Sequence, residues 1–176
     1  MPPIARRRDR RPHRSPPDTV PSLGPFRAGH APVVAAWVTS IDEASSWAAL
    51  DRLPTAGDFE RWHAEPDVVA FVWLEAERVV GYGEIWQDRD LDEAELARLV
   101  VAPDDRGRGV GRSLTRALAD EARRSGFGAV WLRVRGANSR ARRAYEAAGF
   151  GRATPEQEAE FNAGQPHVYV WMRDLT

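Results

Sequence analysis

Between residues 95 and 118 the chain reads ELARLVVAPDDRGRGVGRSLTRAL, and this stretch narrows the choice of fold more than any other. A run rich in branched apolar residues, suited to a strand, stops at Ala102-Pro103. Gly107, Gly109 and Gly111 follow, and then Leu114, Ala117, Leu118 and Ala122 recur at the spacing of one helix face. Side chains are thus removed where a helix begins, the place where backbone N–H groups are unpaired and the helix dipole is positive. A bulky anion can approach such a turn closely, so the loop is a candidate pyrophosphate cradle. Arg106, Arg108 and Arg112 are expected to add positive charge around it. Two other glycine-rich nucleotide loops fit badly. A P-loop ends in Gly-Lys-Ser/Thr, whereas Gly111 is followed by Arg112, and all 25 Lys and Arg positions of the chain are arginine. The dinucleotide fingerprint G-x-G-x-x-G differs from the G-x-G-x-G found here, which also comes late in the chain. A glycine-rich turn that holds nothing is the plain alternative.

The flanking pattern predicts a mixed α/β sheet with helices on both faces. A short strand at 23–27 leads to a helix with Pro32 in its first turn, carrying Val33, Val34, Ala36 and Trp37. Further short helices are expected over 41–64, with Asp58 as a cap ahead of Phe59 and Trp62. Two β-rich runs at 68–75 and 79–87, joined by a polar turn, suggest a hairpin, and a third run at 95–101 ends at Pro103. After the glycine loop come a helix stopping at Gly126, a strand at 129–134, and a helix from Asn138 to Gly149. A last strand is expected at 167–173.

Residues 1–21 combine arginines with six prolines, have little to bury, and are expected to be disordered, leaving 22–176 as the ordered domain. Six arginines against Asp9 give the first 14 residues +5, although the whole chain carries −1. Any contact with nucleic acid is expected from the tail alone, and a dispensable extension is the plainer reading. The chain has no cysteine, which excludes disulfides, thiolate nucleophiles and iron–sulfur clusters. His63 and His167 lack partners at ligand spacing, so no metal site is expected. No run approaches the roughly 20 apolar residues of a membrane span, and no apolar stretch follows the charged N-terminus as in a secretory leader. The expected location is the cytoplasm.

The loop Arg106-Gly107-Arg108-Gly109-Val110-Gly111, preceded by Leu99-Val100-Val101-Ala102-Pro103, resembles the coenzyme A loop Q/R-x-x-G-x-G/A of the GNAT family of N-acetyltransferases. A second family element, an asparagine opening the next helix, an Ala-Tyr pair and a closing Gly-Phe, is matched by Asn138, Ala144-Tyr145 and Gly149-Phe150. The resemblance covers roughly residues 68–173, and more loosely 22–66. It implies a mostly antiparallel sheet with a parallel splayed strand pair, here 95–101 and 129–134, and acetyl-coenzyme A wedged in the splay as co-substrate. It further implies that backbone N–H groups of Arg106 to Gly111 hold the pyrophosphate, that backbone at Leu99, Val100 and Val101 pairs with pantetheine, and that the Val101 N–H polarises the thioester carbonyl. Tyr145 matches the family's general acid, protonating the leaving thiolate or hydrogen-bonding to the sulfur; its alternative is packing on the sheet. Asn138 matches a coenzyme A contact, and as a helix cap it would look identical.

A primary amine is mostly protonated at neutral pH, so the reaction needs a base. Glu95 fits by spacing to the E-x-x-x-L-x-V pattern of the histone-acetylating branch, and strand parity places it on one face with Leu99 and Val101. Glu84, sharing a face with Tyr82 and Trp86, is the rival, and a water chain is the third option. The acceptor is expected to be an amine-bearing small molecule or a protein amine. The acidic residues Asp88, Asp90, Asp92 and Glu93 would suit a cationic acceptor or form a solvated turn, and Trp37, Trp47, Trp62 and Trp86 would form an aromatic pocket or core. A non-catalytic acyl-coenzyme A-binding or sensing domain is the competing reading. The oligomeric state is open, a homodimer included.

Overall fold

The computed structural model describes residues 20–176, so the tail expectation lies outside the described residues except at Val20 and Pro21. Seven strands form one sheet: β1 (Ser22–Pro25), β2 (Val68–Glu75), β3 (Arg78–Asp88), β4 (Glu93–Val101), β5 (Ala129–Arg135), β6 (Phe150–Arg152) and β7 (Tyr169–Asp174). Their spatial order is β1-β2-β3-β4-β5-β7-β6. Only β4 and β5 run parallel; every other neighbouring pair is antiparallel. The expected hairpin is present, and its turn places Ala76 and Glu77 at φ 47 and 65, the geometry whose twist matches paired strands.

Among the described residues six α-helices cover the sheet: α1 (Ala31–Ala35), α2 (Ile41–Ala48), α3 (Ala56–Trp62), α4 (Val110–Arg124), α5 (Ser139–Ala147) and α6 (Pro155–Phe161). On one face α4 buries Leu114, Leu118 and Ala122 against Ile85, Leu96, Leu132 and Met172. On the other, Val34 of α1 and Phe59 of α3 pack on Val72, Tyr82 and Val100. Phe161 of α6 closes a smaller cluster with Trp131 and Trp171, on the side opposite α4. Helices therefore lie on both faces, as the pattern predicts.

Two local expectations need correction. Asp58 does not cap α3: Thr55 does, and Asp58 sits three residues on, accepting from the Thr55 backbone N–H at 2.7 Å and pairing with Arg52. The reciprocal arrangement is a capping box, which satisfies two free helix-start donors at once. β6 and α6 lie between Gly149 and residue 167, where the sequence reading places no element. The signal for α6 is Thr154-Pro155-Glu156-Gln157, a capping box with proline in the first turn. Among the described residues no helix is long and apolar enough to cross a membrane.

Candidate active site

β4 and β5 pair only from Glu93–Ala129 to Leu96–Leu132, although both strands run further, so they splay beyond Leu96. The same stretch of β4 holds a bulge. Tyr82 faces Val100 while Glu84 faces Ala97, so β4 carries one residue more than β3, and Arg98 takes a φ of 47. One extra residue exchanges the faces of all that follow. Glu95, opposite Trp86, lies on the α1–α3 face, whereas Leu99 packs with the α4 cluster and Val101 approaches Gly111 at the start of α4. The expected common face of Glu95, Leu99 and Val101 is thus overturned: strand parity does not survive a bulge.

The bulge is held from several sides. The Arg98 carbonyl accepts from Trp47 Nε1 of α2 at 2.7 Å. Its guanidinium donates to Glu84 Oε2 at 2.6 Å and lies over the rings of Trp62 (4.1 Å) and Trp86 (4.9 Å). Glu84 is fully buried in mid-strand and also accepts from Tyr82 Oη and, at 2.6 Å, from Trp86 Nε1. Burial pushes its pKa up, but nearby His63, the Arg98 charge and the hydrogen bonds from Tyr82 and Trp86 outweigh it and hold the carboxyl below its usual value. The reading of Glu84 as a base does not include this role as an anchor.

The backbone at the end of β4 is directed as the splay requires. Ala102 N–H donates to Val80 O in β3, and alternate strand amides point to opposite sides, so the Val101 N–H points into the splay. Beyond the strand, Gly107 and Gly109 take φ of 85 and 87, a region that favours glycine, and nothing lies within 4 Å of where their Cβ atoms would be. Arg106 N–H is already bonded to Pro103 O, so the unpaired amides of the cradle begin after it. The first intrahelical bond is Ser113 N–H to Gly109 O.

The charge around the cradle is not arranged as expected. Arg106 pairs with Glu43 at 2.7 Å and donates to Val101 O; Arg108 pairs with Asp105, which also binds Arg78. Arg112 has no carboxylate partner among the described residues, nor do Arg140 and Arg143 of α5, and all three are exposed and line the cavity at the cradle. Arg140 and Arg143 went unnoticed in the sequence, because only the packing of α5 beside α4 brings them there.

Two cavities open on the splay. One, of about 540 Å³, runs from the cradle along α5. The other, of about 290 Å³, lies between α2 and the ends of β4 and β5, lined by Trp47, Trp86, Glu95, Arg133, Arg135 and Tyr169 among others. They share Glu43, Leu99, Val100, Asn138, Ala141 and Tyr145. Asn138 caps α5, its Oδ1 accepting from Ala141 N–H at 3.1 Å. Tyr145 is half-buried, and no described residue takes a hydrogen bond from its hydroxyl. Burial pushes its pKa up to about 12, so it is a neutral donor at working pH. Burial also pushes Glu95 up to about 7, against the downward pull of Arg133, 3.1 Å away, and Arg98.

The other candidates are placed elsewhere. Trp37 is core and Trp62 packs on Trp47 and Phe59. The acidic loop lines neither cavity: Asp88 accepts from Leu91 N–H and Asp92 from Gly128 N–H. His63 serves the Glu84 network, and among the described residues no group of three His, Cys, Asp or Glu side chains is placed to hold a metal ion.

A splayed parallel pair, with an anion cradle at one mouth and a second cavity meeting it at a tyrosine, defines a class of enzyme that passes an acyl group between a nucleotide-tailed donor and a separate acceptor. The chain belongs to the acetyltransferase (GNAT) family, whose sequence model matches residues 35–150. It is an acetyl-coenzyme A-dependent N-acetyltransferase. It is 33% identical over 109 residues to the [ribosomal protein bS18]-alanine N-acetyltransferase of Escherichia coli K12, a match covering 53% of this chain and 74% of the relative. Over 50 residues it is 50% identical to the streptothricin acetyltransferase of Streptomyces lavendulae, covering 28% of this chain and 26% of that one. The fold is shared with an aminoglycoside acetyltransferase in complex with coenzyme A and kanamycin (TM-score 0.65, 20% identity, 86% of this chain and 93% of that one). It is shared equally with the spermidine N-acetyltransferase of Vibrio cholerae in complex with coenzyme A and spermine (TM-score 0.67, 17% identity, 87% and 92%).

Proposed function

We propose that acetyl-coenzyme A occupies the larger cavity, that an amine acceptor enters the smaller one, and that Glu95 and Tyr145 serve as base and acid. The observation that carries this reading is the meeting of the two cavities at Tyr145, with Glu95 lining the acceptor side. The free amides after Arg106 and the rim of Arg112, Arg140 and Arg143 suit the pyrophosphate and phosphate groups of the donor. Glu95 takes a proton from the ammonium, directly or through water. The amine then attacks the thioester carbonyl, whose oxygen is stabilised by the Val101 N–H. The C–N bond forms, the C–S bond breaks and Tyr145 donates its proton to the departing thiolate, while the second proton shed by the nitrogen as the amide forms returns to the tyrosine through water.

A carboxyl near 7 is matched to base work at neutral pH, while Glu84, an anion with its oxygens already engaged, is not. The base form of Glu95 exists above its pKa, so kcat/KM should rise with pH through about 7. Glu95→Gln should remove that limb from a pH profile of thiol release; an unaltered profile would take Glu95 out of the mechanism.

Glu84→Gln should act on stability instead. It leaves the mostly buried Arg98 cation uncompensated, and breaking such a pair costs about 3–5 kcal/mol. Urea denaturation would register the loss, and a stable variant with a lost pH limb would make Glu84 the base after all.

A further inference from the structure

The smaller cavity is short of negative charge. Glu43, Glu95, Arg98, Arg133 and Arg135 are the charged side chains on its wall. Glu43 is engaged with Arg106, and Arg98 with Glu84. What remains is the Glu95–Arg133 ion pair, at 3.1 Å, and Arg135, so the wall carries one uncompensated positive charge. Arg133 and Arg135 alternate with Val134 on β5, so both project to the cavity side of the sheet. Arg135 has no carboxylate partner among the described residues. Its Nη2 is held by the carbonyl and hydroxyl of Ser45 at 3.2 and 3.4 Å, and its buried Nε has no acceptor. A guanidinium fixed at one corner, with donors left over, is built to receive a planar anion.

The aromatic rings argue in the same direction. A pocket for an organic cation needs open ring faces. Here the protein's own arginines lie over two of the rings in the cavity wall, Arg98 and Arg133 over Trp86 (4.9 and 5.8 Å) and Arg133 over Tyr169 (5.2 Å), while Trp47 and Tyr145 carry none among the described residues. A polycationic acceptor would meet guanidiniums in place of an aromatic cage. The cavity, at about 290 Å³, is also at the small end for ligand sites.

We propose that the acceptor is a small α-amino carboxylate, its carboxylate bound by Arg135 with Arg133 beside it and its amine turned toward Glu95. The assignment rests on the smaller cavity being the acceptor site. Arg133 pairs with Glu95 at 3.1 Å and shares a strand face with Arg135, so the groups for the amine and the carboxylate lie side by side.

The test is thiol release from acetyl-coenzyme A with the full chain and matched acceptors: each common L-amino acid, its carboxamide and its decarboxylated amine, with spermidine and an N-terminal alanine peptide alongside. At least one amino acid should exceed its own amide and amine in kcat/KM by about 10–100-fold, the worth of a charge-assisted bidentate contact. Arg135→Gln should erase that ratio and Arg135→Lys keep part of it, with acetyl-coenzyme A binding by calorimetry unchanged in both. A ratio within one variant is insensitive to how much of the sample is folded. Equal or better turnover of amines, spermidine or peptide, or a ratio that survives in Arg135→Gln, overturns the proposal and leaves the transferase reading intact. Release with no acceptor at all overturns both.

Discussion

Replacing Tyr145 with phenylalanine is expected to lower kcat by about 10²–10³-fold, within the range found for general acids and bases, while the Kd for acetyl-coenzyme A changes less than twofold. The ring of Tyr145 packs against the α4-side core, and phenylalanine keeps that contact. What is lost is one hydroxyl, which no described residue takes as a donor and which stands where the two cavities meet. Stability should therefore move little, since no protein hydrogen bond is broken. Thiol release under saturating donor, paired with calorimetric titration, separates the two quantities. Unchanged kcat would show that the tyrosine packs and does nothing chemical.

Gly109→Asp should weaken acetyl-coenzyme A binding by more than about 100-fold, a like-charge contact at close range in a site built from amide donors. The backbone there has a φ of 87, and aspartate is among the few non-glycine residues that visit this region. No heavy atom lies within 4 Å of the new Cβ, so the side chain fits without clash, in the space the anion needs. The cost to the fold is that of one strained residue, about 1–3 kcal/mol. Gly109→Ala is the control: it carries the same backbone strain without the charge and should retain most of the binding. Equal loss in the two variants would mean that loop geometry, and not charge, limits affinity.

Much of the site is legible before folding is considered, because its parts are local. The glycine loop, the helix it opens, the cap at Asn138 and the tyrosine seven residues later each depend on hydrogen bonds within a turn or two of the chain. The hairpin and the meander are equally readable from alternating apolar runs. Failures begin where one residue changes a long-range register. The extra residue at Arg98 sends Glu95 to one face of the sheet and Leu99 and Val101 to the other, and no periodicity signals it. A positive φ at an arginine is unfavourable in isolation, and it is the buried Glu84, Trp47, Trp62 and Trp86 that hold it.

Charge shows the same division. Arginines beside the glycines read as donors for a phosphate, yet Arg106 and Arg108 are spent on Glu43 and Asp105, and the unpaired cations come from Arg112 and the neighbouring helix. The chain alone determines the family and the donor, and it marks the loop proposed to receive that donor, since an anion cradle is made of consecutive backbone amides. The acceptor side is decided only by tertiary structure. Its charge is what remains after Glu43, Glu84, Arg98 and Arg106 have paired across distant segments, and pairing depends on distance in space, to which sequence separation is no guide.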